Sequence, residues 1–491
     1  MFEHDFLALF PEIFLTNATI VLLIHGVFKS TSKEDDYPPL VLHAGWLGLL
    51  SVLVTIILVA AGAPVTFANP FRNNLIRDNL TYFCQIFPLL STTSTLPTCS
   101  DYFKQERYHA FESIVLISLS TCSMLFMISA YDSIAMYLAI ELQSLRFHVI
   151  AASKRDSEFS TEAGSKYSIP GAFPSGILSF GCSIVYGVTG IINSEELAKI
   201  FAGYEITLFG AQSSGISMGI LSIAVGFLSK ITAVPSHVWA PDVYEGSPTL
   251  VTASSSIAPK ISIPASMLRV SISGFYDPTR QQLFLFRSIA SMILGALAAM
   301  AQKKVKRLSA YSSIGHVGYL SIGFSCGTME GIQSLLIGIF IYVSMTINAS
   351  AIVLALRKTR SKYIVDSGAL AETNPILAIT SSITMFPYAG IPPLAGSRSK
   401  FYLFPAALGC GAYSLALIGV VTSVISRFYY IRLVKVMYPD TPKKWILYKP
   451  MEPEKSFLPA ISFLLISPFL PYPSPLFLVT HGMALSPCCI R

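Results

Sequence analysis

Residues 221–238 read LSIAVGFLSKITAVPSHV, an apolar run with Lys230 set inside it and Pro235 close behind. Proline lacks an N–H and clashes with the preceding turn, so a helix running through this stretch breaks near Lys230. A second run, ITMFPYAGIPPLAGSRSKFYLF over residues 383–404, repeats the arrangement in the opposite order: Gly390-Ile391-Pro392-Pro393 interrupts the helix and Lys400 follows. Interrupted apolar helices at corresponding places in two halves are the sequence pointer to an inverted-repeat membrane transporter.

Composition agrees. Of 491 residues, 53% are hydrophobic and only 12% charged, against roughly 25% charged in a soluble domain. Apolar runs of about twenty residues, long enough to cross the hydrocarbon core as helices, recur from Ile20 to Leu465, and about fourteen can be placed. They predict an all-α polytopic membrane protein with no large soluble domain. Glu3, His4 and Asp5 precede the first run, where a signal peptide would be basic. No Arg-rich transit sequence is present, so synthesis is expected in the compartment that owns the membrane. The eight cysteines are scattered without CxxC or metal-ligand spacing and read as small core residues.

The 34 Lys and Arg against 27 Asp and Glu leave a positive excess, but it lies in short loops and is not a nucleic-acid footprint. Basic clusters at Lys104 and Arg107, Lys154 and Arg155, Lys303 to Arg307, Arg357 to Lys362, and Arg432 to Lys444 follow helices 3, 5, 9, 11 and 13 of the series. By the positive-inside bias they face the cytoplasm or an organelle matrix, with both termini on the other side. The expected organisation is three N-terminal helices in 1–105, a first repeat of helices 4–8 in 106–275, a second of helices 9–13 in 276–438, and a last helix and tail in 439–491. An odd number of helices per repeat makes the second enter the membrane from the opposite side.

Four ionisable residues fall well inside apolar segments: Glu141, Lys230, Lys260 and Lys400. Insertion scales assign about 2.5–3.5 kcal/mol to such a charge at a helix centre, so the four together cost on the order of 10 kcal/mol. That rivals the net stability of a domain. One lysine could snorkel to the headgroups, but four together point to a lined path for ions or protons. His316 and His237, with ordinary pKa values near about 6.5, suit proton passage near neutrality. No nucleotide-binding loop, HExxH or Cys/His cluster accompanies them, so neither a metal nor a nucleotide is expected on this chain.

Three stretches carry a resemblance that spans nearly the whole chain: Lys230-Ile-Thr-Ala-Val-Pro235 through Ala240-Pro-Asp-Val-Tyr-Glu-Gly-Ser-Pro248, Arg307-Leu-Ser-Ala-Tyr-Ser-Ser-Ile-Gly-His316, and Gly390 to Lys400. The sequence resembles the antiporter-like membrane subunits of respiratory NADH:quinone oxidoreductase, complex I. Within that family it is similar to mitochondrial and bacterial members, with the plastid members of the photosynthetic NDH complex as the nearest competitor. The resemblance implies two inverted five-helix repeats with broken helices 7 and 12, and a multi-pass place in the mitochondrial inner membrane beside other membrane-arm subunits and lipid. It implies that Glu141, Lys230, Lys260 and Lys400 match the family's relay charges, that His316 matches a polar position between the halves, and that His237 is an additional candidate. It also implies that NADH, FMN, iron–sulfur clusters and ubiquinone belong to partner subunits of the enzyme, an H⁺-translocating NADH:ubiquinone reductase, with no redox chemistry on this chain.

Twelve residues are oddly polar or helix-breaking for their places: Ser118, Arg146, His148, Pro174, Ser229, Ser236, Ser254, Pro264, Arg287, Pro387, Arg398 and Pro405. Where the family shows apolar, aromatic or cysteine residues, the changes share one direction, and each is what a single C-to-U change in the codon reverses. The pattern predicts that this sequence translates an unedited plant mitochondrial transcript. The arginines among them are therefore not counted as site charges.

The alternatives are a free-standing cation/proton antiporter, which would be stable and active without flavin or iron–sulfur partners, and a structural spacer whose charges are relics. Under the relay reading, Lys260, His316 and Lys400 are expected to form a water-bridged polar line near mid-membrane. Glu141 and Lys230 are expected to face each other as a separable ion pair.

Overall fold

The computed structural model describes residues 9–30, 38–62, 74–106, 111–154, 157–204, 211–273, 278–357, 363–368, 370–392, 394–438, 460 and 474–485. The apolar run around Leu465 and much of the basic clusters after Arg357 and Arg432 lie outside them. The described chain is helical and divides into two compact units. Unit 1 takes Met1–Ile231, Gly246–Arg280 and Met483–Arg491, and unit 2 takes Thr232–Glu245 and Gln281–Gly482.

Unit 1 contains α1 (Phe10–Ser30), α2 (Pro38–Gly62), α3 (Asn79–Glu106), α4 (Phe111–Ser129), α5 (Ser133–Ala151), α6 (Glu158–Thr189), α7 (Ser194–Tyr204), α8 (Ala211–Lys230), α10 (Thr249–Ile257) and α11 (Pro259–Ser273). Helix α4 packs against α1, α2, α3, α5 and α11, and 14 of its 19 residues are buried. Helix α8 lies along α6. The approach is close because a side chain at Gly181 of α6 would meet the Gly219 carbonyl of α8 at 2.8 Å. Helices α10 and α11 are one rod interrupted at Ala258.

Unit 2 contains α9 (Trp239–Gly246, up to Glu245), α12 (Pro278–Met300, from Gln281), α13 (Val305–Cys326), α14 (Met329–Arg357), the short α15 (Leu370–Thr373), α16 (Pro375–Ala389), α17 (Ala395–Gly409), α18 (Tyr413–Met437) and α19 (Ser474–Leu485, up to Gly482). Helix α14 packs on α13, α16 and α17, and α16 on α18. Asp242 of α9 meets Arg307 at 2.8 Å, and Glu245 pairs with both Lys304 and Arg307, which joins α9 to the start of α13.

Eight helices among the described residues are long and apolar enough to cross a membrane by themselves, and Gly215–Lys230 and Pro375–Ala389 are shorter apolar helices. Others fall short through polar content or interruption. In α3, Ser91, Thr92, Thr93, Ser94 and Thr95 each return a hydroxyl to the carbonyl three residues earlier. A helix can thus carry many hydroxyls and leave none of them unsatisfied in hydrocarbon.

Eight of the twelve discordant residues sit where this packing gains little from them. Pro174, Pro264, Pro387 and Pro405 lie inside α6, α11, α16 and α17, where an interior proline costs about 3 kcal/mol in an ordinary helix. The guanidinium of buried Arg146 is met by the carbonyls of Leu142 at 2.7 Å and Leu116 at 3.2 Å and by the Ser123 hydroxyl, none of them a charge. A buried nitrogen of Arg287 has no hydrogen-bond partner. Ser118 and Ser254 bond only carbonyls of their own helices in the hydrogen bonds described, so an apolar side chain there would leave no partner on another helix unsatisfied. Mass spectrometry of peptides spanning Ser229 to Ser236 from the native organelle is expected to find a leucine or phenylalanine at these positions. Serine at both would remove the editing explanation.

Candidate functional site

In unit 1 the site is built on α5, α8 and α11. Helix α5 starts where Asp132 caps the Ile134 N–H, and it carries Glu141 in its middle. Helix α8 ends at Lys230, because Thr232 adopts φ 74° and the chain turns before α9. A β-branched residue rarely holds a left-handed conformation, so the break is a built constraint at the position where the lysine stands. Lys230 Nζ lies 3.6 Å from a carboxylate oxygen of Glu141. That is within Coulombic reach but longer than a hydrogen bond, so the pair attracts without being locked. The Ser144 hydroxyl donates to the other carboxylate oxygen at 3.3 Å. Further along α5, His148 stands edge-on to Tyr167 with ring centroids 4.6 Å apart. Lys260 is 3% exposed in the first turn of α11, directly after the interruption at Ala258.

In unit 2 the second break delivers Lys400. Helix α16 ends at Gly390, which takes φ 69°, and Lys400 lies in the second turn of α17, 7% exposed. A Cβ on Gly390 would stand 3.3 Å from the Lys400 ammonium, so glycine is needed there for its backbone, and a side chain would crowd the lysine. The ammonium sits over the face of Tyr319, 4.6 Å from the ring centroid, where the ring quadrupole favours a cation. The Tyr319 hydroxyl meets the Thr422 hydroxyl at 3.1 Å. The Arg427 guanidinium donates to the Gly390 carbonyl at 3.3 Å, which places a second cation at the break. His316 is surrounded by aromatic rings, with centroids at 6.2 Å for Tyr319, 5.5 Å for Tyr342 and 5.4 Å for Tyr388. Its Nε2 lies 3.5 Å from the Tyr430 hydroxyl.

The structure thus brings Glu141 to Lys230 in unit 1, and joins His316 to Lys400 through Tyr319 in unit 2. Lys260 belongs to unit 1. His237 follows the first break in the segment assigned to unit 2, with its Nδ1 3.2 Å from the Pro235 carbonyl. Sequence reasoning missed Tyr319, Tyr342, Tyr388, Tyr430 and Arg427. A tyrosine in an apolar run reads as core, and only the arrangement around His316 marks these as a polar lining. Among the described residues no group of three or more His, Cys, Asp and Glu side chains is placed to hold a metal ion.

Residues 130–426 match the family described as NADH:quinone oxidoreductase/Mrp antiporter, TM. The chain is 79% identical to the NADH-ubiquinone oxidoreductase chain 2 of Marchantia polymorpha, over 99% of its own length and 100% of the relative's. It is 73% identical to the protein of the same description from Arabidopsis thaliana, over 98% and 96% of the two lengths. A chain of respiratory complex I from Thermus thermophilus with bound aureothin shares the fold, with a TM-score of 0.79 at 23% identity over 95% of this chain and 98% of that one.

Gly390→Ala tests the second break. The left-handed backbone costs an L-residue about 1–2 kcal/mol, and the new methyl presses on the ammonium of Lys400. The variant is expected to lower the thermal midpoint of the assembled particle. It is also expected to reduce proton movement by more than the loss of assembled particle explains, measured as acidification per NADH oxidised in sealed vesicles.

Proposed function

The chain belongs to the NADH:quinone oxidoreductase/Mrp antiporter transmembrane family, and from that premise we propose that its buried charges carry protons through the bilayer. It is a membrane-arm subunit of the proton-translocating NADH:ubiquinone oxidoreductase of plant mitochondria, a multi-pass protein of the inner membrane associated with other membrane-arm subunits and lipid. Full-length identity to the plant chain 2 proteins favours this reading over a plastid counterpart or a free-standing antiporter. NADH, FMN, the iron–sulfur clusters and ubiquinone are assigned to partner subunits. The finer architecture in this proposal is about fourteen spans arranged as three leading helices, two inverted five-helix repeats and a last helix.

In unit 1, Glu141 controls the charge on Lys230. With the carboxylate close, the ammonium is favoured; with it withdrawn, desolvation alone acts and the charge is disfavoured. A conformational change that draws Glu141 away therefore releases a proton from Lys230 toward Lys260, and its return reloads the lysine. The break after Lys230 supports this role, since unwound backbone leaves helix-end dipoles beside the lysine and can line a hydrated cavity. In unit 2, Lys400 and His316 are the relay groups, with the tyrosine hydroxyls as the polar lining between them. His237 is proposed as an additional acceptor near the first break.

The observation that carries the proposal is the Glu141 to Lys230 separation of 3.6 Å, close enough to couple and too long to be a hydrogen bond. Substitution at the position of Glu141 in a bacterial counterpart is the test. Glutamine is expected to abolish most proton pumping while the complex still assembles, and aspartate to retain part of it because the charge persists. Near-normal pumping in both variants would show that the carboxylate does not govern Lys230.

A further inference from the structure

Unit 1 holds a second set of charges that the relay does not use. Glu12, in the first turn of α1, is fully buried and pairs with Arg77, itself 1% exposed. The Gln85 side chain donates to the other Glu12 oxygen at 2.8 Å, and the Arg77 guanidinium lies 5.2 Å from the Tyr82 ring centroid. The next residue, Asp78, accepts from Arg269 at 2.6 Å and from the Thr81 N–H at 2.9 Å. Two buried ion pairs thus stand side by side on consecutive residues. As mere struts they are a poor choice, because desolvation offsets most of the attraction and apolar side chains of similar volume hold helices as well or better.

Their place in the fold points to a use. Glu12 opens α1, Arg77 and Asp78 directly precede α3, and Arg269 lies near the end of α11. At the same end α4 finishes, with the Ser129 carbonyl accepting from the Ile76 N–H at 2.9 Å. Lys260 begins α11, so Arg269 lies about 13–14 Å further along the same helix, between Lys260 and the face at which α1 and α3 start. A proton leaving Lys260 toward that face meets this double pair, whose carboxylates are held by the guanidinium groups while the pairs are closed.

We propose that the Asp78–Arg269 and Glu12–Arg77 pairs form the gate of unit 1 between Lys260 and the membrane face where α1 and α3 begin. In the transfer, a proton leaves the Lys260 ammonium, crosses the length of α11 on a chain of bridging waters and reaches the Asp78 carboxylate as Arg269 moves off, leaving a neutral amine and a carboxylic acid. Asp78 then releases the proton to the aqueous face and pairs with Arg269 again. Reclosure prevents return flow. The proposal rests on the reading of Lys260 as a relay group.

The test uses the assembled enzyme in sealed inner-membrane vesicles, with particle abundance on native gels, NADH oxidation, protons moved per NADH, and decay of an imposed proton gradient without NADH. Asp78→Asn is expected to assemble, to oxidise NADH and to move fewer protons per NADH. Arg269→Gln is expected to make the imposed gradient decay faster, a leak that loss of a strut alone does not produce. If either single variant fails to assemble, the uncharged pair Asp78→Asn with Arg269→Gln keeps a hydrogen bond without charges. Normal pumping and normal tightness in that pair would overturn the gate. Lys260→Met is measured alongside: pumping lost there but unchanged in the gate variants defeats the gate and leaves the relay standing, whereas unchanged pumping in Lys260→Met defeats both.

Discussion

Hydrocarbon supplies no hydrogen bonds, so every polar group carried into the membrane by these helices has to be met by the chain itself. The hydroxyls of α3 do this within single turns, each bonding a carbonyl of its own helix. Charges cannot be satisfied so locally. They are met instead by a carboxylate on another helix, as Lys230 is by Glu141, or by an aromatic face, as Lys400 is by Tyr319.

The two helix breaks follow from the same constraint. An unbroken helix has no spare backbone dipoles at mid-membrane, whereas an interrupted one exposes amides and carbonyls where a charge can use them. Thr232 at φ 74° and Gly390 at φ 69° make these interruptions structural. Each stands close in sequence to a lysine, one just after Lys230 and the other ten residues before Lys400. The backbone irregularity and the buried cation are parts of one arrangement.

How much of this was legible in the residues depended on whether a signal was local. Lys230 and Lys400 stood out because a charge in an apolar run beside a proline is unusual within a short window, and the helices themselves followed from run length. The tyrosines around His316 were not legible, since Tyr319, Tyr342, Tyr388 and Tyr430 come from four helices and each looks like ordinary core. Glu12, Arg77, Asp78 and Arg269 were missed for the opposite reason. They lie near segment ends, where charges normally sit in water, and only long-range packing reveals that they are buried. Run length alone set the expectation of about fourteen spans, whereas eight helices among the described residues are long and apolar enough to cross by themselves.

The assignment of Thr232–Glu245 to unit 2 has a consequence for synthesis. Asp242 and Glu245 find their cationic partners 65 and 59 residues later, at Arg307 and Lys304. At ribosomal speeds of about 5–20 residues per second, those carboxylates wait roughly 3–13 s for their counter-ions to be made. Before Arg280 unit 1 is interrupted only by this segment, so its helices can pack on one another while the segment still waits for its partners. What has to be held, by lipid or by the insertion machinery, is the short carboxylate-bearing stretch between α8 and α10, until Lys304 and Arg307 have emerged.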